Sequence, residues 1–244
     1  MKYLAFWKFT TALTKSTVVI KRRPTKQTIY FDKSFHSLKH SRTLERIDEL
    51  IKKGTIYKNG KTTTVAQIDF LGQPLVVKRY NTHSIWDGIK QLLKVSRAYN
   101  SWFYAHWMMA NNIFTPVPRA VIEQDLGWLR KRSYYIYQAL DFIPLMQVLQ
   151  TEPVDSPLSQ HLQNRIVDLF KACKRACVHH CDFKITNFLV YQNEIYLIDL
   201  DHMSFNFTPL MLHILQKRDK KRFLRNFEQH PDLYQRFKSL LGFI

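Results

Sequence analysis

The sequence predicts an α+β fold in two lobes, a small antiparallel β-rich N-lobe and a mainly helical C-lobe. Three observations predict it. β-Branched runs between Asn-Gly and Gly turns fill residues 55–80, helical apolar stripes dominate the second half, and Ser133 to Gln150 reads as strand, Pro-containing connector and helix, the form of a hinge. The expected boundaries are 1–53 for a basic N-terminal extension with a helix, 54–140 for the N-lobe up to the hinge, and 141–244 for the helical C-lobe.

The elements follow in order. Residues 41–53 place Leu44, Ile47, Leu50 and Ile51 at helical spacing, with Gly54 as a stop. Thr55-Ile-Tyr, Thr62 to Phe70 and Pro74 to Tyr80 then read as three antiparallel strands joined by turns at Lys58-Asn59-Gly60-Lys61 and Leu71-Gly72-Gln73. Residues 96–110 put Tyr99, Trp102, Phe103, His106, Trp107 and Ala110 on one helical face, and Phe114-Thr-Pro-Val-Pro118 ends that helix. His106 is expected as a packed core histidine. A helix over 159–177 aligns Leu162, Ile166, Phe170, Cys173 and Cys177, and strands follow at Phe188 to Tyr191 and from Ile195. Past Pro209 the chain reads as basic helix.

Size and charge exclude several classes. A chain of 244 residues with 45% apolar content can bury a sizeable core, which excludes disorder as the default. The balance of 37 basic and 19 acidic residues, 37 − 19 = +18, calls for an anionic partner or surface. Residues 1–53 hold thirteen Lys or Arg against four acids, and the first 26 hold seven and none, so the leader is expected to dock on something anionic. Lys8 and Lys15 cut its apolar runs, which disfavours a signal peptide, and polar residues interrupt the uncharged stretch 98–118, so no transmembrane segment is expected. Three cysteines argue against a disulfide framework and for a reducing, cytoplasmic setting.

One constellation carries chemistry: His180-Cys-Asp-Phe-Lys-Ile-Thr-Asn187 followed by Ile198-Asp199-Leu-Asp201. Asp182 stands two residues after His180 and five before Asn187, the spacing of the H-x-D-x-x-x-x-N catalytic loop of kinases. Phosphoryl transfer from ATP needs a carboxylate for the attacking hydroxyl, oxygen ligands for Mg²⁺ and a cation on the nucleotide phosphates. Asp182 is the expected base, Lys184 the cation for the transferred phosphate, and His180 the architectural residue of the loop. Asn187 and Asp199, twelve residues on, are the expected Mg²⁺ ligands. Lys78, inside the third strand, has the position of the lysine on the α/β-phosphates. The preceding turn carries one glycine, Gly60, which Lys61 or Thr62 could supplement at the phosphates. Between Lys78 and Glu123 the sole acid is Asp87, so no glutamate partner for Lys78 is evident. Cys173, Cys177 and Cys181 with His179 and His180 also admit a zinc site, against buried small apolar residues on the helix stripe.

The loop and the Tyr-Leu-Ile-Asp-Leu-Asp-His segment resemble the lipopolysaccharide kinase family, the heptose or Kdo kinases of the lipopolysaccharide core with a protein-kinase-like fold. The likeness extends to Pro-Leu-Val-Val-Lys-Arg-Tyr80, to Arg97-Ala-Tyr-Asn-Ser-Trp102 and to Lys217 through Phe227, and covers roughly 54–227. It implies an ATP- and Mg²⁺-dependent kinase of a lipid-linked anionic glycan, at the cytoplasmic face of the bacterial inner membrane. Tyr3, Phe6, Trp7 and Phe9 of the basic leader could rest on that surface, or could pack inside beneath a solvated basic face. Where the family carries a glutamate, Ser101 stands here. The short run from Phe205 to Pro209 implies no activation-loop regulation. A kinase-like binding module with impaired catalysis and a kinase of another small hydroxylated substrate stay open; a nucleic-acid partner has no motif behind it.

Overall fold

The computed structural model describes residues 2–22, 27–81, 95–126 and 129–242. Asp87 lies outside the described residues. The chain divides into two units, Met1–His106 with Val117–Ala139 and Trp107–Pro116 with Leu140–Ile244. Residues 1–53 fall within the first unit.

The first unit is built on strands β1 (Thr17–Arg22), β2 (Gln27–Asp32), β3 (Thr55–Asn59), β4 (Thr63–Phe70), β5 (Gln73–Asn81), β6 (Pro118–Leu126) and β7 (Leu129–Gln138). They make one antiparallel sheet in the order β1-β2-β6-β7-β5-β4-β3. The leader joins the sheet because its Thr-Val-Val-Ile and Gln-Thr-Ile-Tyr-Phe runs are β-branched and aromatic, and β2 pairs with β6 from Gln27↔Gln124 to Phe31↔Ala120. Helix α1 (Lys2–Ser16) precedes them, and its Phe6 and Phe9 rings stand edge-on to Phe103 at 6.1 and 5.6 Å. Those two half-buried aromatics thus pack against a neighbouring ring of the same unit, while Trp7 is 68% exposed.

Period-two alternation gives the sheet two surfaces. Ile29, Phe31, Ala66, Ile68, Phe70, Val77, Ile122 and Ile136 face one way, against Leu44 of α2 (Leu38–Leu44) and Ile47 and Ile51 of α3 (Ile47–Lys53). The single helix expected over 41–53 is two, because the backbone of Arg46 (φ −104°, ψ 30°) leaves the helical region between them. Asp48 of α3 pins this face: it accepts from Arg79 and Arg132 at 3.1 Å each and from the Tyr134 hydroxyl at 3.0 Å. Gly54 does more than stop α3, since a Cβ there would sit 2.2 Å from the Gln67 carbonyl oxygen. The other surface meets α4 (Arg97–Ala110), where Tyr30 packs on Tyr99 at 5.0 Å and the Tyr80 hydroxyl lies 3.0 Å from Ser101 Oγ. His106 stacks edge-on to Trp102 at 4.4 Å, and burial pushes it down to about 4.

The second unit is mainly helical: α5 (Leu145–Thr151), α6 (Pro157–Arg175), α7 (Pro209–Arg225) and α8 (Pro231–Gly242). Ser156 caps α6 by accepting from the Ser159 N–H, with Pro157 at the first turn. Two small sheets complete it. β8 (Ile143–Pro144), β10 (Phe188–Tyr191) and β11 (Glu194–Leu197) form one in the order β11-β10-β8, and β9 (Val178–His179) pairs with β12 (Ser204–Phe205). Phe170, Phe183, Phe188, Phe223, Phe227 and Phe237 pack ring on ring, with successive centroids 4.8–5.7 Å apart, beneath the segment joining β9 to β10. No helix among the described residues is long and apolar enough to cross a membrane.

Candidate active site

The segment His180–Asn187 leaves β9 and returns to β10 through a 3-10 turn at Ile185–Asn187. Its inner anchor is His180, which is fully buried. The ring takes a defined tautomer: Nε2 donates to the Ile198 carbonyl at 3.1 Å, and Nδ1 accepts the Asp182 N–H at 3.3 Å. Burial holds it neutral, pushed down to about 4, which suits one donating and one accepting nitrogen. Its ring also stands edge-on to Phe183 at 5.2 Å, so the Phe cluster supports the loop from below.

The Asp182 carboxylate projects from this loop into a cationic setting. Lys184 Nζ lies 3.3 Å from Oδ2, and the Arg222 guanidinium of α7 reaches Oδ1 at 2.6 Å. Asn187 fixes the loop's far end: its Nδ2 donates to the Asp182 carbonyl at 2.9 Å, leaving Oδ1 as the atom a cation would take. Asp199 follows one residue after Ile198, whose N–H bonds the Asn187 carbonyl at 3.0 Å. The Asp199 backbone is left-handed (φ 66°, ψ 46°), a conformation Asp tolerates, and turns the chain from β11 into the 3-10 turn Leu200–His202. The structure thus brings Asp182, Lys184, His180, Asn187 and Asp199 together in the second unit.

Lys78, Gly60 and Lys61 belong to the first unit. Lys78 Nζ lies 5.0 Å from the centroid of the Tyr80 ring, and the Arg97 guanidinium of α4 lies 4.7 Å from the same centroid. Ser101, where the resemblance implies a glutamate, holds that ring by its hydroxyl. The β3–β4 turn with Gly60 and Lys61 is tied to the end of β5: Asn81 donates its N–H to the Thr62 carbonyl at 3.0 Å and its Nδ2 to the Lys61 carbonyl at 3.2 Å.

No protein-family model matches the chain, and no curated protein matches it. A solved structure does: WaaP in complex with acyl carrier protein superposes with a TM-score of 0.50 over 82% of this chain and 89% of that one, at 18% identity. The chain has the protein-kinase-like fold. Likeness at that identity carries the architecture and leaves the acceptor open.

Within this kinase-like fold, Asn187 and Asp199 pass a chemical test for Mg²⁺. One carboxylate and one amide oxygen from neighbouring segments are hard donors, and Mg²⁺ fills its other positions with water and phosphate. Cys173 and Cys177 are buried and Cys181 is exposed, with its Sγ 3.0 Å from His179 Nδ1. Among the described residues no three His, Cys, Asp or Glu side chains gather as a metal site.

Two residues of α7 that brace this loop are not among the site residues expected from sequence. Asp219 of α7 is buried and accepts backbone N–H bonds from His180, at 2.9 Å, and from Cys181. Burial raises it to about 6, against those two hydrogen bonds, which lower it. Arg222 donates to the Cys181 carbonyl at 3.1 Å as well as pairing with Asp182. A signal existed: Asp219 is the one acid between Asp201 and Glu228, inside a strongly basic run.

Proposed function

We propose that the chain is an ATP- and Mg²⁺-dependent phosphotransferase acting on a sugar hydroxyl, heptose or Kdo, of the lipopolysaccharide core. The observation that carries this is the Asp182 carboxylate held between Lys184 and Arg222 on a loop cross-braced by Asn187 and His180. The acceptor hydroxyl oxygen forms a bond to the γ-phosphorus, the bond to ADP breaks, and the hydroxyl proton passes to Asp182. Lys184 offsets charge on the transferred group. His180, neutral and buried, positions the loop. Asn187 and Asp199 would hold Mg²⁺, which when bound neutralises charge on the β- and γ-phosphate oxygens. Lys78, with the Gly60–Lys61 turn, would hold the remaining phosphates.

The resemblance in the loop and the charge of +18 support a lipid-linked anionic glycan as acceptor, met at the cytoplasmic face of the bacterial inner membrane. The test is transfer of labelled γ-phosphate to defined core acceptors, set against free sugars and proteins. Asp182→Asn is expected to lose about 10²–10⁴-fold in turnover, the share a positioned base contributes, while ATP still shifts the melting temperature. Full turnover in that variant overturns the assignment. A second reading, a kinase-like binding module with impaired catalysis, draws on Ser101 at the Tyr80 hydroxyl; no melting shift on titration with ATP and Mg²⁺ would favour it.

A further inference from the structure

A cavity of about 360 Å³ opens beside the catalytic loop, within the second unit. His179 lines it from β9, Cys181 from the loop, and Arg218, Lys221, Arg222 and Arg225 from α7. Those four positions fall at i, i+3, i+4 and i+7, so one face of one helix presents four cations to one space. Like charges at these spacings repel and weaken a helix, so folding does not ask for them.

Of the four, Arg222 alone is paired with a carboxylate among the described residues, that of Asp182. Among the described residues Arg218, Lys221 and Arg225 have no carboxylate partner. The one acid in the lining, Asp219, is committed to the His180 and Cys181 N–H groups. Arg222 ties the cavity to the chemistry, bridging the Cys181 carbonyl and the Asp182 carboxylate.

We propose that this cavity is an acceptor subsite for a phosphate monoester already carried by the sugar to be phosphorylated. The proposal rests on the phosphotransferase reading and names what the acceptor must bear. Three unpaired cations of different reach fit a dianion with three accepting oxygens, and Arg forks fit phosphate in particular. Held there, the acceptor lies beside Asp182, so the charge that binds it also orients its hydroxyl. The volume accommodates a monosaccharide phosphate and falls in the range of small-molecule sites.

The test begins without turnover, by calorimetric titration of a sugar phosphate monoester into the full chain, with and without saturating ATP. The triple variant Arg218→Gln/Lys221→Gln/Arg225→Gln, whose residues are exposed and outside the catalytic loop, is expected to bind it about tenfold or more weakly. Unchanged affinity in that variant overturns the subsite. Displacement of the sugar phosphate by ATP alone overturns the acceptor assignment and gives the cavity to nucleotide. With transfer measured, the variant is expected to raise KM for a phosphorylated acceptor while sparing KM for ATP and turnover at saturation. An acceptor stripped of its phosphate monoester is expected to show the same KM with either protein, and a difference there overturns the proposal. Because the titration needs no chemistry, weakened binding with no transfer to any acceptor would uphold the subsite and sink the phosphotransferase.

Discussion

The two units carry their expected site residues by opposite physical means. In the second, the loop from His180 to Asn187 is held by directed hydrogen bonds: to Ile198, from Asp182, to Asp219 and between Asn187 and Asp182. In the first, the Lys78 ammonium is set against an aromatic face, with Tyr80 fixed by Ser101 and shared with Arg97. Directed bonds specify positions in sequence, because a turn of given length needs given donors and acceptors. A cation over a ring specifies only that the ring be near. The contrast also predicts that the second unit breaks by leaving polar groups unpaired, and the first by disturbing packing.

The largest effect is expected at Asp219. Asp219→Ala strips the acceptor from the buried His180 N–H and from Cys181, at about 1–3 kcal/mol for each unsatisfied group. Chemical denaturation would read the loss, and turnover should fall with it because Asp182 follows directly on the freed segment. A variant with unchanged stability would show that water satisfies the loop, and the contrast between the units would lapse. The steric counterpart is Gly54→Ala, whose Cβ must displace backbone at Gln67, at about 1–3 kcal/mol by overpacking. That variant should melt earlier yet keep the pH profile of the second unit.

The pH profile sharpens the comparison further. His180 and His106 are both held by burial at about 4, below the free imidazole, so each binds fewer protons in the folded chain and stability falls as pH drops from about 6.5 to 4. Asp219, raised by burial to about 6, binds more protons when folded, so its contribution falls as pH rises from about 4 to 6. Over that shared window Asp219 offsets one histidine. Asp219→Asn removes the offset, and the stability of the chain should then fall more steeply on acidification, by up to about 1.4 kcal/mol per pH unit. An unchanged slope between pH 4 and 6 would detach Asp219 from the titration of the loop.

What the sequence made legible follows the same division. β3, β4 and β5, helix α4 and helix α6 were readable because turn residues and apolar periodicity mark them, and the loop was readable because its spacing encodes hydrogen bonds. In sequence β1 and β2 are obscured by charge: Lys21 and Arg22 end a β-branched run and give it the look of a basic surface segment. The break at Arg46 left no mark, because Leu44, Ile47 and Ile51 keep helical spacing across it. Asp219 acts across 39 residues on a different element, a relation that local periodicity does not contain. In sequence Ser101 marks only a missing acid, whereas its bond to Tyr80, at 3.0 Å, joins a helix to a strand 21 residues away.

The smallest effects test the aromatic seat of Lys78, and they need two substitutions to separate ring from hydroxyl. Tyr80→Phe keeps the ring beneath Lys78 and Arg97 but removes the hydrogen bond between the Tyr80 hydroxyl and Ser101, at about 1 kcal/mol of stability. Ser101 Oγ also donates to the Arg97 carbonyl of its own helix at 3.1 Å, so it keeps one of its two hydrogen bonds and nucleotide affinity should hardly move. Tyr80→Leu removes the ring itself, at about 0.5–2 kcal/mol of cation–π attraction, and should raise KM for ATP by roughly two- to thirtyfold while leaving acceptor KM alone. Equal ATP affinity in both variants would mean that the ring does not place Lys78, and that the residue takes its position from the sheet register, in which Lys78 of β5 stands opposite Tyr135 of β7.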